Sequence, residues 1–201
     1  MTKIKICGLR RACDIAYVNE AKPDYIGFVF AKSRRQVSKE EAAELKKLLD
    51  PKIQAVGVFV NGEIDTIAEL AGEGIIDVIQ LHGQEDQAYI ETLKSKVSCP
   101  IIKAFKCDNG VSKKALDAAD TDFYLFDSGA GGTGESFDWE KIPKTDRPWF
   151  LAGGLSIENI EKAVREIQPY GVDFSSSVET DGYKDRDKIL EIVRRIRNVK
   201  R

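Results

Sequence analysis

The chain is predicted to fold as a closed (β/α)8 barrel, an α/β architecture of the TIM type, in one domain spanning 1–201. Three observations predict it. Eight short apolar runs rich in β-branched and aromatic residues recur from end to end, and amphipathic charged segments stand between them. The 201 residues give each strand-plus-crossover unit about 25, which leaves room for short loops only. An open doubly wound sheet usually has about five or six strands, so eight in a chain this short favour closure. No linker or shift of composition marks a second domain.

Taken in order, the first run is Lys3–Ile6 and the second Tyr25–Phe30. Ser38-Lys39-Glu40-Glu41 then forms a capping box, opening a helix to about Leu49. Gln54–Phe59 is the third strand, and Asn61 with Gly62 precedes a helix to about Ala71. Val78–Leu81 and Ile101–Phe105 are the fourth and fifth runs, followed by a brief helix at Lys113–Ala118. After the sixth run, Phe123–Phe126, the segment Asp138–Ile142 is scarcely a helix, because Pro143 follows at once. Trp149–Ala152 leads to a helix Ile157–Glu166 capped by Ser156. Gly171–Phe174 is the eighth run, and Arg186–Asn198 closes the chain with Ile189, Ile192, Val193 and Ile196 at helical spacing. Several strands are apolar nearly throughout, as strands covered on both faces should be.

Composition narrows the function. Charged residues make up 32% and the AVILMFWYC set 42%, which excludes a disordered chain, a collagen-like repeat and a disulfide-stapled miniprotein. Lys and Arg number 31 against 33 Asp and Glu, a net charge of −2, so no broad positive field invites nucleic acid or a membrane surface. The four cysteines Cys7, Cys13, Cys99 and Cys107 form no CxxC pair, and His82 is the single histidine. Zinc spacings are therefore absent and no metal is expected. The basic start holds few apolar residues before charge returns, so no signal peptide is expected. No stretch approaches the roughly 20 apolar residues of a membrane span. A cytoplasmic protein with reduced thiols is the expectation.

In such a barrel, function sits at the carboxyl ends of the strands. The residues there are Cys7-Gly8, Lys32 to Arg35, Asn61, His82-Gly83, Lys106, Asp127, Gly153-Gly154 and Ser175-Ser176-Ser177. They suggest an acid/base pair beside an anion site. Cys7 is either a buried structural thiol or a general base whose pKa a helix N-terminus or a cation has brought down. Asp127 is either a loop carboxylate or a general acid. Lys32-Ser-Arg-Arg35 is a solvated patch or a clamp for an anionic substrate. His82 is a base by type, or else orients a ligand through its ring nitrogens.

Gly129, Gly131 and Gly134 spell GxGxxG, and Gly129 to Ser136 nearly spells a P-loop. Glu135 stands where the P-loop lysine must be, and Pro143 leaves no room for the long helix both motifs need. A mobile active-site loop with Asp127 at its stem is the better reading. Ala152-Gly-Gly-Leu155 and Phe174-Ser-Ser-Ser177 leave strands seven and eight, where barrels frequently bind phosphate through backbone amides. A non-catalytic phospholigand- or flavin-binding barrel would keep these turns but has no use for an acid/base pair. A metal-dependent phosphosugar epimerase would need more histidines.

The same residues carry a resemblance. Lys5-Ile-Cys-Gly8, Gly27-Phe-Val-Phe30 with Ser33-Arg-Arg35, Val56 to Asn61, Gln80-Leu-His-Gly83, Gly131 to Gly134 with Phe137-Asp-Trp139, Leu151 to Leu155, and Val172 to Ser176 with Val178-Glu179 occur in order from the first strand to the eighth. The set resembles the phosphoribosylanthranilate isomerase family. The resemblance implies an Amadori rearrangement of phosphoribosylanthranilate in tryptophan biosynthesis, on a small phosphosugar substrate, without metal or organic cofactor. It implies that Asp127 protonates the ribose ring oxygen and that Cys7 removes the C2 proton. Arg35 would hold the anthranilate carboxylate, His82 would contact the substrate, and the backbone around Gly153, Gly154, Ser175 and Ser176 would hold the phosphate. The family usually has Gly where this chain has Ser177, so a positive φ there would strain it. A monomer or a homodimer is compatible with these patterns.

Overall fold

The computed structural model describes residues 1–107, 110–127 and 142–199. Eight strands pair in chain order and close on themselves: β1 Lys3–Cys7, β2 Tyr25–Val29, β3 Gln54–Phe59, β4 Val78–Leu81, β5 Ile101–Lys106, β6 Phe123–Asp127, β7 Trp149–Ala152 and β8 Gly171–Phe174. Every pair is parallel, and β1 meets β8 from Lys3↔Gly171 to Ile6↔Phe174. The expected strands match within a residue at either end. Around them lie α1 Ala12–Ala21, α2 Lys39–Leu48, α3 Ile64–Gly72, α4 Gln87–Lys94, α5 Lys113–Asp117, α6 Ile160–Glu166 and α7 Arg186–Asn198. A short hairpin, β9 Glu179–Thr180 and β10 Tyr183–Lys184, separates β8 from α7.

Local chemistry explains the starts. Ser38 accepts from the Glu41 amide while the Glu41 carboxylate takes the Ser38 amide, completing the expected box at α2. Asp86 caps α4 by accepting from the Tyr89 amide, and Asp185 caps α7 by accepting from the amides of Asp187 and Lys188. At α6 the helix begins at Ile160 rather than Ile157. The Asn159 carboxamide bridges the Ser156 amide and the Gly154 carbonyl, so the chain turns there before it coils. The segment Asp138–Ile142 lies outside the described residues except for its last position.

Alternation along the strands sorts side chains into two cores. Outward residues such as Ile4, Ile6, Ile26, Phe28, Ile79, Phe126 and Phe174 pack under the helices. Inward residues form a smaller cluster of Cys7, Tyr25, Val56, Val58, Val78, Ile102, Ala104, Leu125, Phe150 and Ala152. The amino-terminal end of the barrel is stopped by aromatics. Phe150 lies 5.6 Å from Tyr25, 5.9 Å from Phe123 and 5.5 Å from Tyr170, ring centroid to centroid. Among the described residues, the carboxyl-terminal end is polar and open.

Candidate active site

At that open end a cavity of about 540 Å³ is lined by Cys7, Arg35, His82, Asp127, Gly153, Gly154, Ser175 and Ser176, among others. The expected acid, base and substrate-binding residues therefore border one space, whereas Asn61, Gly83 and Lys106 line a neighbouring cavity. Asp127 is the last residue of β6 and Cys7 the last of β1, three strands apart in a ring of eight, so they face each other across much of the mouth. The string from 128 to 136 lies outside the described residues.

Cys7 is 8% exposed, at the edge of the inward core. Burial pushes its thiol above the ordinary value; Lys5 and Lys184 pull the other way, and Asp173 adds to the rise. Lys5 is fully buried two residues earlier on the same inward face, with Nζ 2.8 Å from Asp173 Oδ2. Gly27 is what lets β2 approach the thiol: a Cβ there would sit 2.6 Å from Cys7 Sγ.

His82 Nε2 lies 3.5 Å from Asp127 Oδ2. On its other side, Gln80 Nε2 is 2.9 Å from His82 Nδ1. With the amide nitrogen donating, the ring proton sits on Nε2 and points at Asp127. The histidine is thereby fixed as a neighbour of the carboxylate.

Arg35 is tied to Glu179 by two bonds, Nε to Oε1 at 2.6 Å and Nη2 to Oε2 at 2.8 Å. Arg34 and Lys184 donate to the same carboxylate, each within 2.8 Å. Burial works against the ionised Glu179, but the bonds from Arg35 and Lys184 prevail and bring its pKa down to about 2. Because Glu179 occupies the side edge of Arg35, the end edge formed by Nη1 and Nη2 remains available for a second carboxylate.

Gly153 and Gly154 both adopt positive φ, 76° and 61°, which turns the chain sharply after β7. Ser176 opens a 3₁₀ turn, Ser176–Val178. The amides of Gly154, Ser176 and Ser177 find no acceptor among the described residues. Ser177 is not among the residues of positive φ, so the strain expected for a serine there does not arise.

Sequence reasoning missed Lys5, Gln80, Asp173, Glu179 and Lys184 as parts of this site. The signal was parity: Lys5 stands two before Cys7 and Gln80 two before His82, polar residues on the inward face of otherwise apolar strands.

Residues 4–195 match the family model of N-(5'-phosphoribosyl)anthranilate isomerase. The chain belongs to that family. A relative of that name from Endomicrobium trichonymphae is 47% identical over 203 residues, covering 99% of this chain and 100% of its own. The phosphoribosyl anthranilate isomerase of Thermus thermophilus superposes with a TM-score of 0.86 at 29% identity, over 99% of this chain and 100% of that one. Another, solved with reduced 1-(o-carboxyphenylamino)-1-deoxyribulose 5-phosphate, gives 0.81 at 32% identity, over 98% and 99% of the two chains. Membership makes this protein an isomerase of tryptophan biosynthesis.

Proposed function

We propose that the protein converts phosphoribosylanthranilate to 1-(2-carboxyphenylamino)-1-deoxyribulose 5-phosphate by general acid/base catalysis, with Asp127 as acid and Cys7 as base. The observation that carries this reading is their placement on opposite sides of one cavity whose end is lined by amides that find no acceptor among the described residues. An aldose-to-ketose shift needs a proton given at oxygen and a proton taken at carbon.

In the first step Asp127 protonates the ring oxygen. The C1–O bond breaks, the aniline nitrogen supplies its electron pair, and a protonated Schiff base results. Cys7 then removes the C2 proton, and the C–H pair moves into a C1–C2 double bond as the nitrogen recovers its own pair. The enolamine tautomerises to the ketone. Burial pushes the Cys7 thiol up, and Lys5, Lys184 and Arg35, all within electrostatic reach, offset part of that rise in favour of the thiolate. Arg35, steadied by Glu179, holds the anthranilate carboxylate on its open edge. The amides around Gly154 and Ser176 hold the phosphate as oriented dipoles. His82 holds the Asp127 side of the substrate pocket.

The test is kinetic. Cys7→Ala and Asp127→Asn are each expected to lower kcat about 10²–10⁴-fold while binding of the reduced product analogue survives, measured by fluorescence loss of phosphoribosylanthranilate and by calorimetry. Turnover at the unaltered rate in either variant removes that residue from the mechanism.

A further inference from the structure

Two atoms on the cavity wall are left unused by the acid/base reading. Among the described residues, Gln80 Oε1 and Asp173 Oδ1 are the buried side-chain polar atoms with no hydrogen-bond partner. Both residues line the cavity that holds Cys7 and Asp127. Gln80 is 1% exposed, and the Asp173 side chain 8%. A buried acceptor without a donor has lost its water and gained nothing in return, so folded proteins seldom keep one without a use for it.

Neither side chain is free to turn away. Gln80 is held by its Nε2 on His82 Nδ1, and Asp173 by its Oδ2 on Lys5 Nζ. Each is thus locked with one acceptor left over. Gln80 belongs to β4 and Asp173 to β8, four strands apart in the ring of eight, so the two acceptors stand on opposite walls. What they require are donors, and an anion is excluded by the charge on Asp173. The neutral donors of a sugar are its hydroxyls.

Proximity assigns them. Gln80 holds the histidine that borders Asp127, whereas Asp173, on which Asp127 and His82 also act, holds the lysine that neighbours Cys7 and acts on that thiol itself. We propose that Gln80 and Asp173 are specificity residues that accept hydrogen bonds from two sugar hydroxyls, Gln80 from the O4 released by ring opening and Asp173 from the hydroxyl on C2. The proposal rests on the isomerase reading and deepens it. A site built to pair a hydroxyl rejects the analogue that lacks one, because the acceptor is then stranded.

The experiment measures equilibrium binding of the reduced product analogue and its 2-deoxy and 4-deoxy counterparts by calorimetry. On the unaltered protein, each deoxy compound is expected to bind at least about tenfold more weakly than the parent. Gln80→Met keeps the length of the side chain and removes the acceptor. It should bind the parent about tenfold more weakly, cease to distinguish the 4-deoxy compound from it, and still reject the 2-deoxy one. Asp173→Asn keeps an oxygen for Lys5 and puts a donor where the free acceptor was, so it should show the reverse pattern. Equal binding of all three compounds to the unaltered protein overturns the proposal, as does full discrimination retained by both variants. The unaltered protein decides alone if a variant does not fold. Failure of that protein to bind even the parent sinks the isomerase reading itself, a result distinct from loss of discrimination.

Discussion

At the scale of single residues, the catalytic geometry depends on what is missing as much as on what is present. Gly27 has no side chain, and its place beside Cys7 Sγ leaves no space for one. Its φ lies outside the positive range, so alanine is tolerated by the local backbone and opposed by Cys7, most severely by its thiol and less so by its Cα and Cβ at 3.1 and 3.2 Å. Gly27→Ala is therefore expected to displace the sulfur, lowering kcat at least about tenfold, as small errors of position do. Binding of the reduced product analogue should change by a few-fold at most; unchanged kcat would show that the position of the thiol is immaterial. Residues at strand ends, such as Cys7 and Asp127, were legible in the sequence because the barrel directs function there. Lys5, Gln80 and Asp173 were not, since each stands within a short apolar run that reads equally well as a strand buried on both faces.

At the scale of elements, the β9–β10 hairpin organises one side of the mouth. Glu179 enters from β9 and gathers Arg34, Arg35 and Lys184, while the guanidinium groups of Arg10 and Arg11 each lie 4.6 Å from the centroid of the Tyr183 ring. With its pKa depressed to about 2, Glu179 binds protons less readily in the folded state than in the unfolded chain. Its stabilisation is complete above the ordinary carboxylate range and is lost as pH falls from about 4.5 toward 2. Glu179→Gln should melt below the unaltered protein at pH 7, and the gap should narrow steadily between pH 5 and pH 3. A gap independent of pH would show that the Glu179 charge contributes nothing. The hairpin escaped sequence reading because two-residue strands carry no periodicity. The start of α6 was read three residues early because Ser156 has the chemistry of a cap, but Asn159 makes the bonds that set the turn.

For the whole molecule, closure was legible from a count of units, since eight strand-and-crossover segments in 201 residues leave few alternatives to a ring. The filling of its interior was not, because which apolar residues point inward depends on register. Phe150, fully buried and in contact with three other rings, anchors the floor. Phe150→Ala should cost about 3–5 kcal/mol, read as a drop in denaturation midpoint, with kinetic constants for the remaining folded protein close to those of the unaltered enzyme. A loss well below that range would mean that the neighbouring rings collapse to fill the gap.

That aromatic floor also dictates traffic. With the far end plugged, whatever arrives at Cys7 and Asp127 must depart by the doorway through which it came. Reactant and ketose therefore queue for a single entrance, and ketose accumulating outside should slow the enzyme by occupying the threshold, in strict competition with the incoming sugar.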